Sequence, residues 1–408
     1  MKRFEVHAGW MPTPELIGIC NIENARGKET ISFSYTESWL VQHSGLIIDP
    51  DIYPMTGRQY PPGEKNCFGF LADIAPDRWG RTLMKRKEAA LAREENRAKR
   101  TLMESDFILG VSDVGRIGGI RLYDPEKDAY ISDGSALSIP PVEMLRKLED
   151  ASIHLEDDAS DEGEWLKNLI EPGSSLGGAR PKANVIDEKG NIWIAKFPSK
   201  KDEYDVGAWE MVAHELALRC GLDVPRAELK RLSKYGSTYM TERFDRDGNS
   251  RIHYASAMTM LGQTDDSNDD TGYIDIAEVI ERICERPTED LNELWNRMIF
   301  NICISNTDDH LRNHGFVLSK SGWRLSKAFD INPSIDKEEM SLYISGSKKK
   351  SIDEAIDAAE YFRLTKDSAR QRALDIRRII ADNWRFEADK YHIPRAEQKL
   401  MEPAFINV

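Results

Sequence analysis

The chain has 408 residues, with 56 Lys and Arg against 70 Asp and Glu and a formal net charge of −14. That length suits two or three packed units with ample core, and 40% hydrophobic with 9% aromatic residues excludes a wholly disordered chain. No apolar run approaches the ~20 residues of a membrane span, and no apolar signal-peptide core follows Met1-Lys2-Arg3-Phe4. The acidic balance argues against broad, non-specific nucleic-acid binding. A cytoplasmic enzyme or binding protein without membrane attachment is expected. Cysteines at 20, 67, 220, 284 and 303 are odd in number and never closely paired, which predicts buried free thiols in a reducing compartment.

In chain order, Ile17–Ile22 and Thr30–Tyr35 read as strands bounded by turn residues. A Pro-rich loop follows through Tyr53-Pro54 and Tyr60-Pro61-Pro62-Gly63. Residues 78–103 read as one strongly basic helix, from Arg78 to Arg100, either a solvated face or one turned to a partner. The acidic run 156–164 marks a solvated linker before a glycine-rich turn. From about 175 to 245 the pattern is strand, strand, helix, strand, strand. In that helix Val206, Trp209, Val212, Ala213, Leu216, Ala217 and Cys220 recur at helical spacing, and Gly221 closes it. Beyond about 275 the chain is mainly helical, and Leu291–Ile304 is apolar almost all round, as a buried helix is. Small β-rich units followed by a helical half predict an α+β fold.

The sharpest polar cluster, Asn306-Thr307-Asp308-Asp309-His310-Leu311-Arg312-Asn313-His314, follows the buried helix directly. A short hairpin comes next, then Phe329-Asp330-Ile331-Asn332-Pro333. Asp308 and Asn313 are spaced D-x-x-x-x-N, and Asp330 lies beyond the hairpin. Protein kinases use this order: the loop Asp accepts the hydroxyl proton, while the Asn and the later Asp hold Mg²⁺. A competing reading makes His310 and His314, four apart, metal ligands with Asp308. The absence of an HExxH glutamate and the immediate Gly315 weigh against it.

Upstream, Gly173-Ser174-Ser175-Leu176-Gly177-Gly178-Ala179-Arg180-Pro181-Lys182 offers adjacent glycines whose backbone N–H groups can approach phosphates, with Lys182 or Arg180 adding charge. No Ser or Thr follows Lys182, so this is not a Walker loop. In the strand Asn191–Pro198, Lys196 ends the stripe of Ile192 and Ile194 and needs an anionic partner or a route to water. Glu210 lies at the edge of the apolar helix face and Glu215 projects away from it, which makes Glu210 the better acid to orient Lys196. The strand Thr238–Asp245 could offer its backbone to an adenine edge, flanked by Glu242 and Phe244.

Taken in order, Ser-x-Gly-Gly-Ala-Arg-Pro-Lys, the strand lysine, Glu-Arg-Phe-Asp-Arg, Thr-Asp-x-His-x-x-Asn and Phe-Asp-x-x-Pro resemble the HipA-type serine/threonine kinases, toxins of bacterial toxin–antitoxin pairs. Cys67 to Arg81, with Ala75-Pro76-Asp77-Arg78-Trp79-Gly80, is similar to that family's N-terminal signature. The resemblance implies a two-lobed kinase-like fold with an N-terminal β-rich subdomain over 1–135, a nucleotide-binding lobe over 136–262 and a helical catalytic lobe over 263–408. It further implies ATP and Mg²⁺ as cofactors, Asp308 as catalytic acid, and Asn313 and Asp330 as metal ligands. Gly177, Gly178, Lys182 and Lys196 would meet the phosphates, Glu242 and Phe244 the hinge, and Ser175 (or Ser174) would be autophosphorylated. The expected partners are a protein substrate and a HipB-like helix-turn-helix antitoxin, with DNA reached only through that complex. Two departures are noted: Asp309 stands where a small residue is common and adds negative charge beside the base, and Ser174 duplicates the loop serine. A small-molecule kinase of similar fold and a catalytically idle partner-binding protein are the alternative functions.

Overall fold

The computed structural model describes residues 2–25, 27–131, 139–156, 180–265 and 270–406. The chain divides into two compact units, one of Met1–Lys196 with Asp245–Asp265 and one of Phe197–Phe244 with Asp266–Val408.

The first unit is built on a five-stranded antiparallel sheet, ordered Lys28–Tyr35, Glu15–Ala25, Lys2–Ala8, Ile120–Asp124 and Ala129–Tyr130. Both strands expected from alternation lie inside the observed ones. Phe4, Val6 and Ala8 point to the core, as period 2 demands. Gly18 allows close strand approach: a Cβ there would sit 2.3 Å from the Ser34 carbonyl oxygen. Phe33, Trp39, Phe68, Phe70 and Leu71 fill the space behind the sheet. The Cys67–Arg81 motif starts as the short helix Gly69–Ile74, whose buried Asp73 accepts from the backbone N and Oγ of Ser256 at 2.9 and 2.6 Å. Asp77 then N-caps the helix Arg78–Glu94.

That helix stops well short of the expected residue 103. Asn96 adopts the left-handed region (φ +51°), and Arg97 turns back onto buried Glu88 at 2.6 Å. Part of the basic run is paired within its own unit: Arg81 with Glu104 at 2.5 Å and Arg100 with Asp106 at 3.0 Å, while Arg86 donates to the Leu155 carbonyl at 2.5 Å. Strands Lys182–Ile186 and Ile192–Lys196 form an antiparallel hairpin that sets Lys182 directly opposite Lys196.

In the second unit, Asp205 caps the helix Val206–Arg219; of the residues at the predicted spacing Trp209, Val212, Ala213, Leu216 and Ala217 are buried, while Val206 and Cys220 at the two ends are only half-buried. Gly221 ends it at φ +77°. Strands Ala227–Lys230 and Thr238–Glu242 pair antiparallel. The helix Pro287–Cys303, with proline in its first turn, buries Leu291, Leu294, Trp295, Met298, Ile299, Phe300 and Ile302. Helices Tyr273–Ile283 and Lys366–Lys390 pack against it. The hairpin Gly315–Leu318 and Trp323–Leu325 is fixed to this helix by Arg324 on Asp290 at 2.9 Å and by Arg297 on the Ser326 carbonyl at 2.8 Å. The result is the expected α+β, two-lobed kinase-like fold with a largely helical C-terminal region. All five cysteines are free, but only Cys20 and Cys303 are buried as expected; Cys67, Cys220 and Cys284 are half-buried. Among the described residues no helix is long and apolar enough to cross a membrane.

Candidate active site

The end of the Pro287–Cys303 helix delivers the polar loop. Ser305 takes φ +54°, and the Asn306 N–H returns to the Asn301 carbonyl at 2.8 Å, so the chain leaves the buried helix in one tight turn. Asp308 follows with its side chain 77% exposed, its nearest cation being the Lys337 ammonium at 3.6 Å. A single 3-10 turn, Leu311–Asn313, brings Asn313 back, where its Nδ2 donates to the Asp308 carbonyl at 3.4 Å. Asn313 Oδ1 is buried and accepts no hydrogen bond. A buried orphaned acceptor is costly unless something completes it.

Beyond the hairpin, the Ala328 N–H donates to the Asp223 carbonyl at 2.8 Å, and the Phe329 ring lies 5.4 Å from that of Phe244. Asp330 then takes φ +59°, a conformation that Asp tolerates better than most residues. Its Oδ1 accepts from Asn332 Nδ2 at 3.1 Å, and Asn332 Oδ1 is a second buried acceptor without a hydrogen bond. The strand carrying the expected hinge therefore meets the loop carrying Asp330 through two phenylalanines. Glu242 is held by Arg226 at 3.3 Å. Glu210 is buried, whereas Glu215 faces Lys390 at 2.7 Å and Tyr391 at 2.6 Å, which separates the two acids as the helical spacing implied. Burial first, then the charges of Glu210 and Asp330, push the Tyr239 hydroxyl well above its ordinary range, so Tyr239 senses both carboxylates.

In the first unit Lys182 and Lys196 are both buried. Lys182 pairs with Asp77 at 3.0 Å, a partner the sequence reading did not assign. Gly177, Gly178, Ser174 and Ser175 lie outside the described residues. His314 is drawn to Asp309 at 2.9 Å, and the 3-10 turn between His310 and His314 breaks the continuous helix that a paired-histidine site requires. Among the described residues no three His, Cys, Asp or Glu side chains group so as to hold a metal.

Two residues of the Glu-Arg-Phe-Asp-Arg motif carry a structural role that spacing did not reveal. Asp245 accepts from the Gly118 N–H at 2.6 Å and pairs with Arg246 at 2.6 Å. Arg246 in turn donates to the carbonyls of Arg116 at 2.7 Å and Val114 at 3.2 Å. Their signal was the motif itself, whose polar residues exceed those a hinge needs.

Fold and loop order together define a kinase-like protein. Residues 174–384, over half of the chain, match the family description HipA-like C-terminal domain, and the chain belongs to the HipA-type toxin kinases. It is 23% identical over 344 residues to the serine/threonine-protein kinase toxin HipA of Shewanella oneidensis, covering 76% of this chain and 71% of that one. It is 26% identical over 225 residues to the Sinorhizobium fredii protein Y4dM, covering 51% of this chain and 54% of the relative, and so spans about half of that protein. A solved Shewanella oneidensis complex of HipA, HipB and operator DNA contains a chain of like fold, at TM-score 0.66 and 17% identity over 98% of this chain and 94% of that one.

Proposed function

We propose that the protein transfers the γ-phosphoryl group of ATP to a serine or threonine hydroxyl of a protein. The observation that carries this reading is the Asp308–Asn313 turn, an exposed carboxylate joined to an amide whose buried oxygen has no hydrogen bond. Such oxygens suit Mg²⁺, a hard cation that keeps waters and takes one or two protein ligands with substrate phosphates. Asn313 and Asp330 would hold it, and the ion would offset charge on the phosphates. Asp308 would accept the acceptor hydroxyl's proton and orient that oxygen. Lys196 and Lys182, with Gly177 and Gly178, are assigned to the phosphates, Glu210 to orienting the phosphate-binding lysine, and Glu242 and Phe244 to the adenine side. Ser175 is the assigned site of autophosphorylation. A HipB-like antitoxin, bringing DNA only through its complex, is the proposed partner, by analogy with the Shewanella assembly.

The test is transfer from radiolabelled Mg-ATP in the presence of bacterial lysate proteins. Label should appear on protein, and Asp308→Asn should lower it by roughly 10²–10⁴-fold with ADP affinity retained. Label on a metabolite alone would favour a small-molecule kinase. No turnover by the wild-type chain would favour an idle binding protein.

A further inference from the structure

The second carboxylate of the loop, Asp309, looks from the sequence like unwanted negative charge beside the base. The structure turns the two neighbours apart: the Asp308 side chain is 77% exposed and that of Asp309 only 3%. Asp309 Oδ2 accepts three hydrogen bonds, from the Tyr273 hydroxyl, from Asn301 Nδ2 at 3.0 Å and from His314 Nε2 at 2.9 Å. An ionised carboxylate is acceptor-only, so His314 must carry its proton on Nε2.

The three donors come from three places in the fold: the start of the Tyr273–Ile283 helix, the last turn of the Pro287–Cys303 helix and the residue entering strand Gly315–Leu318. Asn301 extends the cluster by accepting from Asn306 Nδ2 at 3.1 Å. The loop from Asn306 to His314 is thus pinned at its start, middle and end by one buried polar network. Burial alone would raise the Asp309 carboxyl, but His314 and Tyr273 outweigh it and hold the group below its ordinary value. Each bond in this buried network narrows its geometry, and losing a member leaves its partners unsatisfied.

We infer that Asp309 is a positioning residue: by anchoring its side chain inward to Tyr273, Asn301 and His314, it fixes Asp308 outward and sets the Asp308–Asn313 turn. This rests on the role proposed above for Asp308. Asp309 itself touches no substrate. Its charge is spent on three internal donors, so the loop presents one carboxylate rather than two.

The experiment compares wild type, Asp309→Asn and the exchanged pair Asn301→Asp/Asp309→Asn, well below their melting temperatures. In Asp309→Asn the new amide group faces the amide of Asn301. In the exchanged pair, the oxygen of residue 309 can accept from Tyr273 and His314, while its NH₂ donates to the carboxylate now at 301. Asp309→Asn should lose roughly 10–100-fold in kcat through misplaced reacting groups, with ADP affinity by calorimetry nearly unchanged. Amide hydrogen exchange should rise across residues 305–313, and the exchanged pair should recover most of both readouts. Unchanged kcat and exchange in Asp309→Asn would overturn the inference, as would ADP affinity falling in step with kcat or an exchanged pair no better than the single variant. If Asp309→Asn does not fold, Tyr273→Phe removes one donor and should show the same exchange pattern with a smaller kcat loss; unaltered exchange there would overturn the inference equally. A wild-type chain with no phosphoryl transfer would strike the proposed function instead, and hydrogen exchange would still decide whether Asp309 orders the loop.

Discussion

The Lys182 ammonium lies 3.0 Å from Asp77 Oδ2, in a pair nearly closed to solvent on both sides. The same aspartate uses Oδ1 to cap the following helix at the Gly80 N–H, 2.8 Å away, and the Trp79 indole donates to the Lys182 carbonyl at 3.1 Å. The Asp77–Gly80 turn thus holds this lysine by its head and by its main chain. Lys196 stands directly opposite on the hairpin, and facing like charges are destabilising unless countered. Asp77 supplies a counter-charge.

Removing one member of a buried pair strands the other, at a cost of about 3–5 kcal/mol. Asp77→Ala should lose that much and in addition about 1 kcal/mol for the missing cap. Asp77→Asn keeps the cap and should lose less. In urea unfolding, Asp77→Ala/Lys182→Met should be more stable than the sum of its single variants. An Asp77→Ala midpoint equal to wild type would contradict the pairing.

The metal assignment makes a separate prediction. Asn313 Oδ1 has no protein hydrogen bond to lose and Nδ2 only the long one to the Asp308 carbonyl at 3.4 Å, so Asn313→Ala should cost no more than about 1 kcal/mol of stability. Its effect should fall on the cation. Mg²⁺-dependent ADP binding, followed by calorimetry across a magnesium titration, should need several-fold more metal, and Asp330→Asn should act in the same direction. Unchanged magnesium dependence in both variants would remove these residues from the metal site. A tightly bound zinc whose loss abolishes activity would restore the histidine reading.

Ser175 carries a third expectation. A phosphate there adds about −1.5 to −2 charge and three acceptor oxygens, which would oppose the phosphates of bound ATP. After incubation with Mg-ATP, mass spectrometry should place phosphate on Ser175 rather than Ser174, and ATP affinity should fall as the modified fraction rises. Undiminished affinity in fully modified protein would refute the switch and leave the kinase assignment standing.

What the sequence revealed and what it hid follow from the range of the forces involved. The Glu15–Ala25 and Lys28–Tyr35 strands and the Pro287–Cys303 helix declare themselves through local periodicity, because one face or all faces are buried, whereas the Lys2–Ala8 strand, which pairs with Glu15–Ala25 in the sheet, was not foreseen. The order of Asp308, Asn313 and Asp330 is equally legible, since loop chemistry needs particular residues at particular spacings. The end of the basic helix at Glu94 was not, because Glu88 recovers Arg97 through a backward turn that spacing does not encode. Nor was the fate of Asp309, whose partners Tyr273, Asn301 and His314 come from three elements. Burial of an acid depends on donors that only tertiary structure assembles. The same holds for Lys182, whose carboxylate comes from a motif far upstream.

The last prediction concerns acid stability in the first unit, where two buried groups act in opposite directions. His253, stacked on Trp10 with ring centroids 4.3 Å apart, is pushed by burial from 6.5 down to about 3. Its folded value is depressed, so the unfolded chain takes up a proton first. The stability it contributes is full above pH 6.5 and is lost as pH falls toward 3. Asp49 accepts from the N–H groups of Phe70 at 3.0 Å and Asp51 at 2.9 Å; burial chiefly, aided by the charges of Asp51 and Asp73, lifts it from 3.8 to about 7. Its folded value is raised, so its contribution is full below pH 3.8 and is lost as pH rises through 7. Between pH 4 and 6.5 the two slopes oppose one another, each about 1.4 kcal/mol per pH unit for one proton. Asp49→Asn removes only the second. On acidification across that window the variant should lose stability more steeply than wild type by about that slope, read from hydrogen exchange of the slowest amides in the Lys2–Ala8 and Glu15–Ala25 strands. Parallel profiles for the two proteins would show that Asp49 is ionised throughout, and that the burial of its carboxylate is offset by those two backbone donors alone.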